Sequence, residues 1–141
     1  MLQARLVRRD NAEKSDVSTA DIHTIIPALL EEIQSNMFRV AKEGRDSKIV
    51  TVTTWADFVP ALERGCLVMT PFCDNAEWED KVKKMSRDEA LHGAVEAATT
   101  ATSVAAKTLC KPFDAPPLPE GTPCFVSGLP AACWVLWGRS Y

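Results

Sequence analysis

The spacing of hydrophobic positions in this chain changes several times, and each change marks an expected element. From about Asp21 to Glu43, the residues Ile22, Ile25, Ile26, Leu29, Leu30, Ile33, Met37, Val40 and Ala41 recur at three- and four-residue intervals. Glu31, Glu32, Gln34, Ser35, Arg39 and Lys42 fall mostly between them. One apolar stripe with a wet opposite side is the signature of a surface helix. Asp21 or Thr19 is placed to cap its start and Gly44 to end it, while Pro27 should disturb the first turns or set the true start. At roughly 20 residues such a helix is long enough to act as a strut between two domains.

Beyond it the period shortens. Ile49-Val50-Thr51-Val52 is a β-branched run of strand type. Thr54-Trp55-Ala56-Asp57 has the form of a capping box with Asp in place of Glu. It opens a helix with Trp55, Phe58, Val59 and Leu62 on one face and Gly65 at its end, and Pro60 should kink or shorten it. Cys66-Leu67-Val68-Met69-Thr70 completes a strand–helix–strand unit. Asn75 can cap a further helix carrying Trp78, Val82 and Met85, with Glu77 four residues before Lys81 and Glu79 four before Lys83. The Ala- and Thr-rich stretch from Glu89 to Ala106, with Gly93 in its middle, is expected to be poorly ordered. Thr108 to Phe113 returns to strand composition, and Ala115-Pro116-Pro117-Leu118-Pro119-Glu120-Gly121 is a stiff connector. Cys124 to Gly128 and Ala132 to Trp137 read as two strands joined at Gly128 to Pro130.

The first residues fit less easily. Ala4 to Asp10 looks like a short basic strand followed by a turn at Asn11 to Lys14, yet no partner is evident nearby. A lone strand is unstable, so the chain is expected to begin inside a domain whose other parts are absent. The fold class is α+β: a long N-terminal linker helix plus a small mixed β-sheet packed with helices. The division expected is 1–46 and 47–141.

Composition narrows the possible functions. With 141 residues, 46% hydrophobic and 25% charged, the chain suits one domain, or one domain with a piece of another. Its formal charge of −3 gives no global attraction to nucleic acid or acidic membranes. No apolar run approaches bilayer length, and the start Met1-Leu2-Gln3-Ala4-Arg5 has no signal core. The five cysteines, at 66, 73, 110, 124 and 133, read as reduced thiols of a cytosolic protein.

Catalytic chemistry finds little support. Only His23 and His92 are available as bases, one in the strut helix and one in the poorly ordered stretch. Cys73 precedes a helix start, which would acidify it slightly, but a half-buried structural thiol is the simpler reading. No close Cys or His pair has zinc spacing, and no glycine-rich phosphate loop is present. Arg5, Arg8, Arg9 and Lys14 form the only basic cluster, diluted by Asp10 and Glu13. It would serve RNA phosphates or simply a solvated strand.

The end of the chain is unusual. Ala131-Ala132-Cys133-Trp134-Val135-Leu136-Trp137 runs straight into Gly138-Arg139-Ser140-Tyr141, whereas termini usually trail off in polar residues. Either a final strand is pinned by Trp134 and Trp137, or Arg139, the Tyr141 ring and the terminal carboxylate are delivered to another surface.

Specific residues then point to a family. Arg5-Leu6-Val7-Arg8-Arg9-Asp10 with Glu13-Lys14 resembles the end of the anticodon-binding domain of eukaryotic and archaeal-type prolyl-tRNA synthetases. Phe58…Leu62…Gly65, Thr70-Pro71-Phe72-Cys73, Ala106 to Phe113, Gly128…Pro130-Ala131 and Leu136 to Tyr141 are similar to that family's extra C-terminal domain. The resemblance runs in order along nearly the whole chain, with a gap at about 86 to 104. The terminal Gly-Arg-Ser-Tyr is its most specific part.

The resemblance implies the C-terminal part of a class II proline–tRNA ligase, a cytoplasmic enzyme that uses ATP to attach proline to tRNA(Pro). ATP and Mg2+ would be held by a catalytic domain outside this chain, so the chain alone should be inactive. It implies an end of the anticodon-binding domain and linker helix at 1–46 and the C-terminal domain at 47–141. The expected partners are the catalytic and anticodon-binding domains, tRNA(Pro) and a second copy of the full-length enzyme, with no membrane. Arg139 and Tyr141 would form an active-site-supporting tail, and Arg5, Arg8 and Arg9 would contact tRNA. A free-standing, non-catalytic interaction module is the alternative, and an orphaned strand at 4–10 would argue against it. Fuller members of the family bind zinc through four cysteines, and those positions correspond here to Cys73, Trp78, Cys124 and Val126. With two ligands replaced by apolar side chains, no zinc is expected. Arg139 to Tyr141 should be exposed and mobile while Trp134 and Trp137 pack.

Overall fold

A computed structural model describes residues 2–93 and 104–139. They divide into two compact units, Met1–Ser47 and Lys48–Tyr141.

The first unit holds strand β1 (Gln3–Val7), strand β2 (Lys14–Ser18) and helix α1 (Ile22–Asp46). The strand expected to be orphaned is paired: β1 and β2 form an antiparallel hairpin with Leu6 opposite Ser15 and Ala4 opposite Val17. The partner is hidden in the sequence because Lys14-Ser15-Asp16-Val17-Ser18 lacks apolar alternation and is mostly exposed. Ala12, at φ 62, makes the turn, and Arg8 and Glu13 are joined by a 2.8 Å backbone bond across it.

Helix α1 keeps its register through Pro27, whose fixed φ is compatible with an early helical turn. Asp21 precedes it without a side-chain cap, and Gly44 does not end it. The helix runs to Asp46, and the Ser47 hydroxyl donates to the Gly44 carbonyl at 2.9 Å. Only Ile33 of its apolar stripe is fully buried within this unit. Leu30, Met37, Phe38 and Val40 are exposed.

The second unit contains strand β3 (Ile49–Thr51), helix α2 (Trp55–Glu63), strand β4 (Leu67–Phe72), helix α3 (Ala76–Gly93), strand β5 (Ala106–Cys110) and strand β6 (Cys133–Arg139). The four strands make a mixed sheet ordered β3-β4-β6-β5, as the α+β expectation requires. β3 and β4 are parallel around α2, while β6 lies antiparallel to both β4 and β5. The Thr54 hydroxyl accepts from the Asp57 N–H at 3.3 Å, which is the cap expected from sequence. Pro60 stays inside α2 without breaking it.

Helix α3 starts where Asn75 accepts from the Trp78 N–H at 3.1 Å. It continues to Gly93, beyond the point where order was expected to fail, and the rest of that stretch, 94–103, lies outside the described residues. Glu79 pairs with Lys83 at 3.0 Å. Lys81 leaves Glu77 and lies 4.1 Å from the centre of the Trp78 ring, a contact comparable in worth to an exposed ion pair.

Residues 124–128, expected as a strand, form turns instead. Cys124 donates its N–H to the Leu129 carbonyl at 2.7 Å, and Gly128, at φ 70, donates to the Cys124 carbonyl at 3.1 Å. A chain folded back this tightly has no extended edge to offer a sheet. It is held by one bond from the Phe125 N–H to the Pro71 carbonyl at 3.0 Å.

The core lies against one face of the sheet. Phe58, Phe72, Phe125 and Trp137 meet with ring centres 4.8 Å (Phe58 and Phe125) to 6.3 Å apart (Phe72 and Phe125), several of them edge to face. Edge-to-face packing adds about 0.5–1.5 kcal/mol per pair beyond area burial. Trp137 is completely buried, and its indole N–H donates to the Thr70 hydroxyl at 2.9 Å.

Candidate functional site

Three places carry the polar chemistry, and each grows from a local turn. The first is the hairpin of the N-terminal unit. Arg8 is only 8% exposed, and its guanidinium is bound by both oxygens of Asp10 (2.9 and 3.1 Å) and by Glu32. Asn36 donates to Asp10 at 2.8 Å and completes the cluster. Hydrogen bonds from Arg8 and then Asn36 hold the Asp10 carboxyl far below the ordinary carboxylate range despite its burial. Arg8 is held above its ordinary value first by the hydrogen bond to Asp10 and then by that to Glu32. Its donors are engaged in locking the hairpin to α1. Arg5 is paired side-on with Asp16 at 2.8 Å on the exposed hairpin face. Arg9 is exposed and makes no ion pair among the described residues. Of the three arginines singled out for tRNA, Arg9 therefore presents the least engaged charge.

The second place is the thiol loop. Cys73 follows β4, and Asp74 turns the chain at φ 55 into α3. Cys124 enters the folded-back turn opposite and is 3% exposed. The segments that carry the two thiols are bonded to each other through the Phe125 N–H and the Pro71 carbonyl at 3.0 Å. The Ser127 hydroxyl donates to the Cys73 sulfur at 3.6 Å. Burial pushes the Cys73 thiol up, and the Cys124 sulfur beside it adds to that. Burial pushes Cys124 up as well, but the Ser127 hydroxyl and the N–H groups of Val126, Ser127 and Cys73 outweigh it and hold that thiol below its usual value. This nest of N–H donors suits a thiolate.

Trp78 and Val126 pack against the core. Cys133, opposite Phe72 in the β4–β6 ladder, is also half-buried there, whereas Cys110 is exposed. Among the described residues no group of three or more His, Cys, Asp or Glu side chains could hold a metal ion. A structural zinc takes four protein donors, and of the four positions expected to supply them two are Trp78 and Val126. Ser127 does not announce itself in the sequence. Its signal, a serine three residues after Cys124, is too common to stand out.

The third place is the end of β6. The tail does not leave the protein at Arg139: that residue is the last of the strand, lies opposite Ala106 of β5 and is half-buried. This corrects the expectation that Arg139 is exposed and mobile. Ala106 is held in turn by the Ser86 hydroxyl, which accepts its N–H at 2.9 Å, so the β5–β6 ladder extends past Trp137 and takes Arg139 with it. The guanidinium Nε and Nη2 are buried and have no hydrogen-bond partner among the described residues. A buried, unpaired guanidinium fork is shaped for a carboxylate. Trp134 is half-buried, and Tyr141 lies outside the described residues.

The second unit is thus an α+β domain whose last strand lies in the interior of a four-stranded sheet. Residues 55–141 match the family described as prolyl-tRNA synthetase, C-terminal. The chain belongs to that family. It is 45% identical over 139 residues to the cytoplasmic proline–tRNA ligase of Arabidopsis thaliana, covering 99% of this chain and 24% of that protein. A putative proline–tRNA ligase of Saccharomyces cerevisiae is 37% identical over 139 residues, covering 99% of this chain and 20% of the relative. The bifunctional glutamate/proline–tRNA ligase of Drosophila melanogaster is 38% identical over 143 residues, covering 96% of this chain and 8% of the relative. The chain thus spans at most about a quarter of the length of these relatives. No helix among the described residues is long and apolar enough to cross a membrane.

Proposed function

We propose that this chain works as the C-terminal part of a proline–tRNA ligase, an ATP-dependent enzyme of the cytoplasm that charges tRNA(Pro) with proline. The chain supplies no catalytic group. Its task is to support an active site carried by the catalytic domain of the same enzyme, where ATP, Mg2+ and proline bind. The observation that carries this reading is the end of β6: an interior strand pinned by fully buried Trp137 and closed by Arg139, whose Nε and Nη2 lack partners among the described residues. The Arg139 fork would receive a carboxylate, and the tail that includes Tyr141 would reach toward the catalytic domain.

In this reading the exposed Leu30, Met37, Phe38 and Val40 of α1 are covered by the remainder of the anticodon-binding domain, and the full enzyme is a homodimer. Arg9, with Arg5 as a weaker contributor, touches tRNA, and the thiol loop binds no zinc. The β1–β2 pairing removes one argument against a free-standing module, because the first strand is no longer an orphan. The exposed apolar face of α1 favours the ligase.

Deleting Tyr141 from the full-length enzyme tests the proposal. Proline activation, read by pyrophosphate exchange, should fall about tenfold or more, equivalent to roughly 1.4 kcal/mol of transition-state stabilisation, with far-UV circular dichroism unchanged. Unchanged activation kinetics would make the tail purely structural.

A further inference from the structure

The thiol loop has a use that does not depend on the ligase reading. Cys73 and Cys124 lie on two segments clamped together, by the bond from the Phe125 N–H to the Pro71 carbonyl at 3.0 Å and by that from the Ala132 N–H to the Phe72 carbonyl at 2.8 Å. Ser127, three residues after Cys124, places its hydroxyl 3.6 Å from the Cys73 sulfur, and the two thiols have no metal-completing side chains beside them among the described residues. Cys73 is half-buried and Cys124 is 3% exposed, so the pair is reached from the Cys73 side.

We propose that Cys73 and Cys124 are a redox-modification site, a dithiol that a hydroperoxide converts to a disulfide joining the end of β4 to the 124–129 turn. The Cys73 sulfur gives up its proton to water and attacks the terminal peroxide oxygen; the O–O bond breaks, and the other oxygen leaves as an alcohol or water after taking up a proton. Cys73 is then a sulfenic acid. The Cys124 sulfur attacks it, the S–S bond forms, the S–O bond breaks, and water leaves with the proton of the Cys124 thiol. The two sulfurs together lose two electrons and the hydroperoxide gains them. A thiol reductant reverses the change.

The bridge closes a loop of about fifty residues that contains α3 and β5. Linking the ends of so long a loop removes much of the entropy of the unfolded chain. The oxidised chain should therefore melt higher, by roughly 5–15 °C. In effect the two cysteines form a switchable staple at a place where a four-donor metal would form a permanent one.

The test treats the intact, folded chain with one equivalent of hydrogen peroxide, traps remaining thiols with an alkylating agent, and maps the peptides by mass spectrometry. The expected result is loss of two thiols, an intact mass lower by two hydrogens, and one linked peptide pair containing Cys73 and Cys124. Melting should rise and return to its starting value on adding dithiothreitol. In C73S and C124S the linked pair should disappear and the melting shift with it, while Cys66 and Cys110 alkylate as before. Oxidation that stops at sulfinic acid, a bridge mapped to Cys73 and Cys133, or a linkage that forms only in denaturant would overturn the proposal. Mapping on the unmodified chain decides the pairing even if a serine variant folds poorly.

Discussion

The bond between Trp137 and Thr70 offers the sharpest test of what holds the last strand. Both residues are fully buried, and the indole N–H has the Thr70 hydroxyl 2.9 Å away. Thr70→Val preserves the shape of the side chain and deletes only that acceptor. The indole N–H is then orphaned in a site walled by Phe58, Phe72 and Phe125, which costs about 1–3 kcal/mol. W137F removes the donor along with part of the ring. In that background T70V has no N–H to abandon, and removing the now unpaired hydroxyl should be close to neutral or slightly stabilising. The coupling energy of the double-mutant cycle is thus expected at about 1–2 kcal/mol. Urea unfolding followed by tryptophan emission is the assay. Trp55, Trp78, Trp134 and Trp137 all fall in the second unit, so the signal reports that unit alone. If T70V costs the same with and without the indole N–H, the hydrogen bond is not what the hydroxyl contributes and the reasoning fails. The result bears on function because Trp137 stands two residues before Arg139 and sets where the tail begins.

Other consequences can be measured on the same protein. A Cβ on Gly138 would lie 3.0 Å from the Leu109 Cδ1 and 3.1 Å from the Leu67 Cδ2; Leu109 is half-exposed and can swing, so G138A should cost about 1 kcal/mol, and adding L109A should recover most of it. Glu79 is held below the ordinary carboxylate range first by the Thr108 hydroxyl and then by Lys83. A depressed folded pKa means that its contribution is complete above roughly pH 4.3 and fades as pH falls below that, through the folded value. The urea midpoint should drop in acid, and less so in E79Q. Metal analysis of the purified chain should find far less than one zinc per molecule, whereas the double variant W78C/V126C, which restores a set of four thiols, should take up zinc. One zinc per unaltered chain would refute the reading of the thiol loop.

Much of the second unit was legible in the linear pattern because its signals are local. The cap at Thr54 and Asp57, the β-branched run at Ile49 and the apolar run through Val68 act over four or five residues, so β3, α2 and β4 followed from them. The turns at 124–128 resemble a strand in sequence because Cys124, Phe125 and Val126 have strand composition. What holds them bent is a pair of backbone bonds, from the Cys124 N–H to the Leu129 carbonyl and from the Gly128 N–H to the Cys124 carbonyl. The basic cluster was equally opaque. Arg8 looks like a phosphate ligand until Glu32 and Asn36, more than twenty residues away, meet it and Asp10.

Residue identity, and neighbours within a turn or two, were enough for most element types, the α+β class, the resemblance to prolyl-tRNA synthetases and the loss of two of four thiols; β2 and the 124–128 turns were the exceptions. Folding in three dimensions was needed to show that β1 has a partner, that Arg8 is consumed by an ion pair, that Arg139 ends a half-buried strand with part of its guanidinium unpartnered among the described residues, and that Ser127 brings its hydroxyl to Cys73. Those facts depend on residues distant in the chain being brought into contact and out of water. Burial changes what a charge or thiol can do, and no local pattern records it.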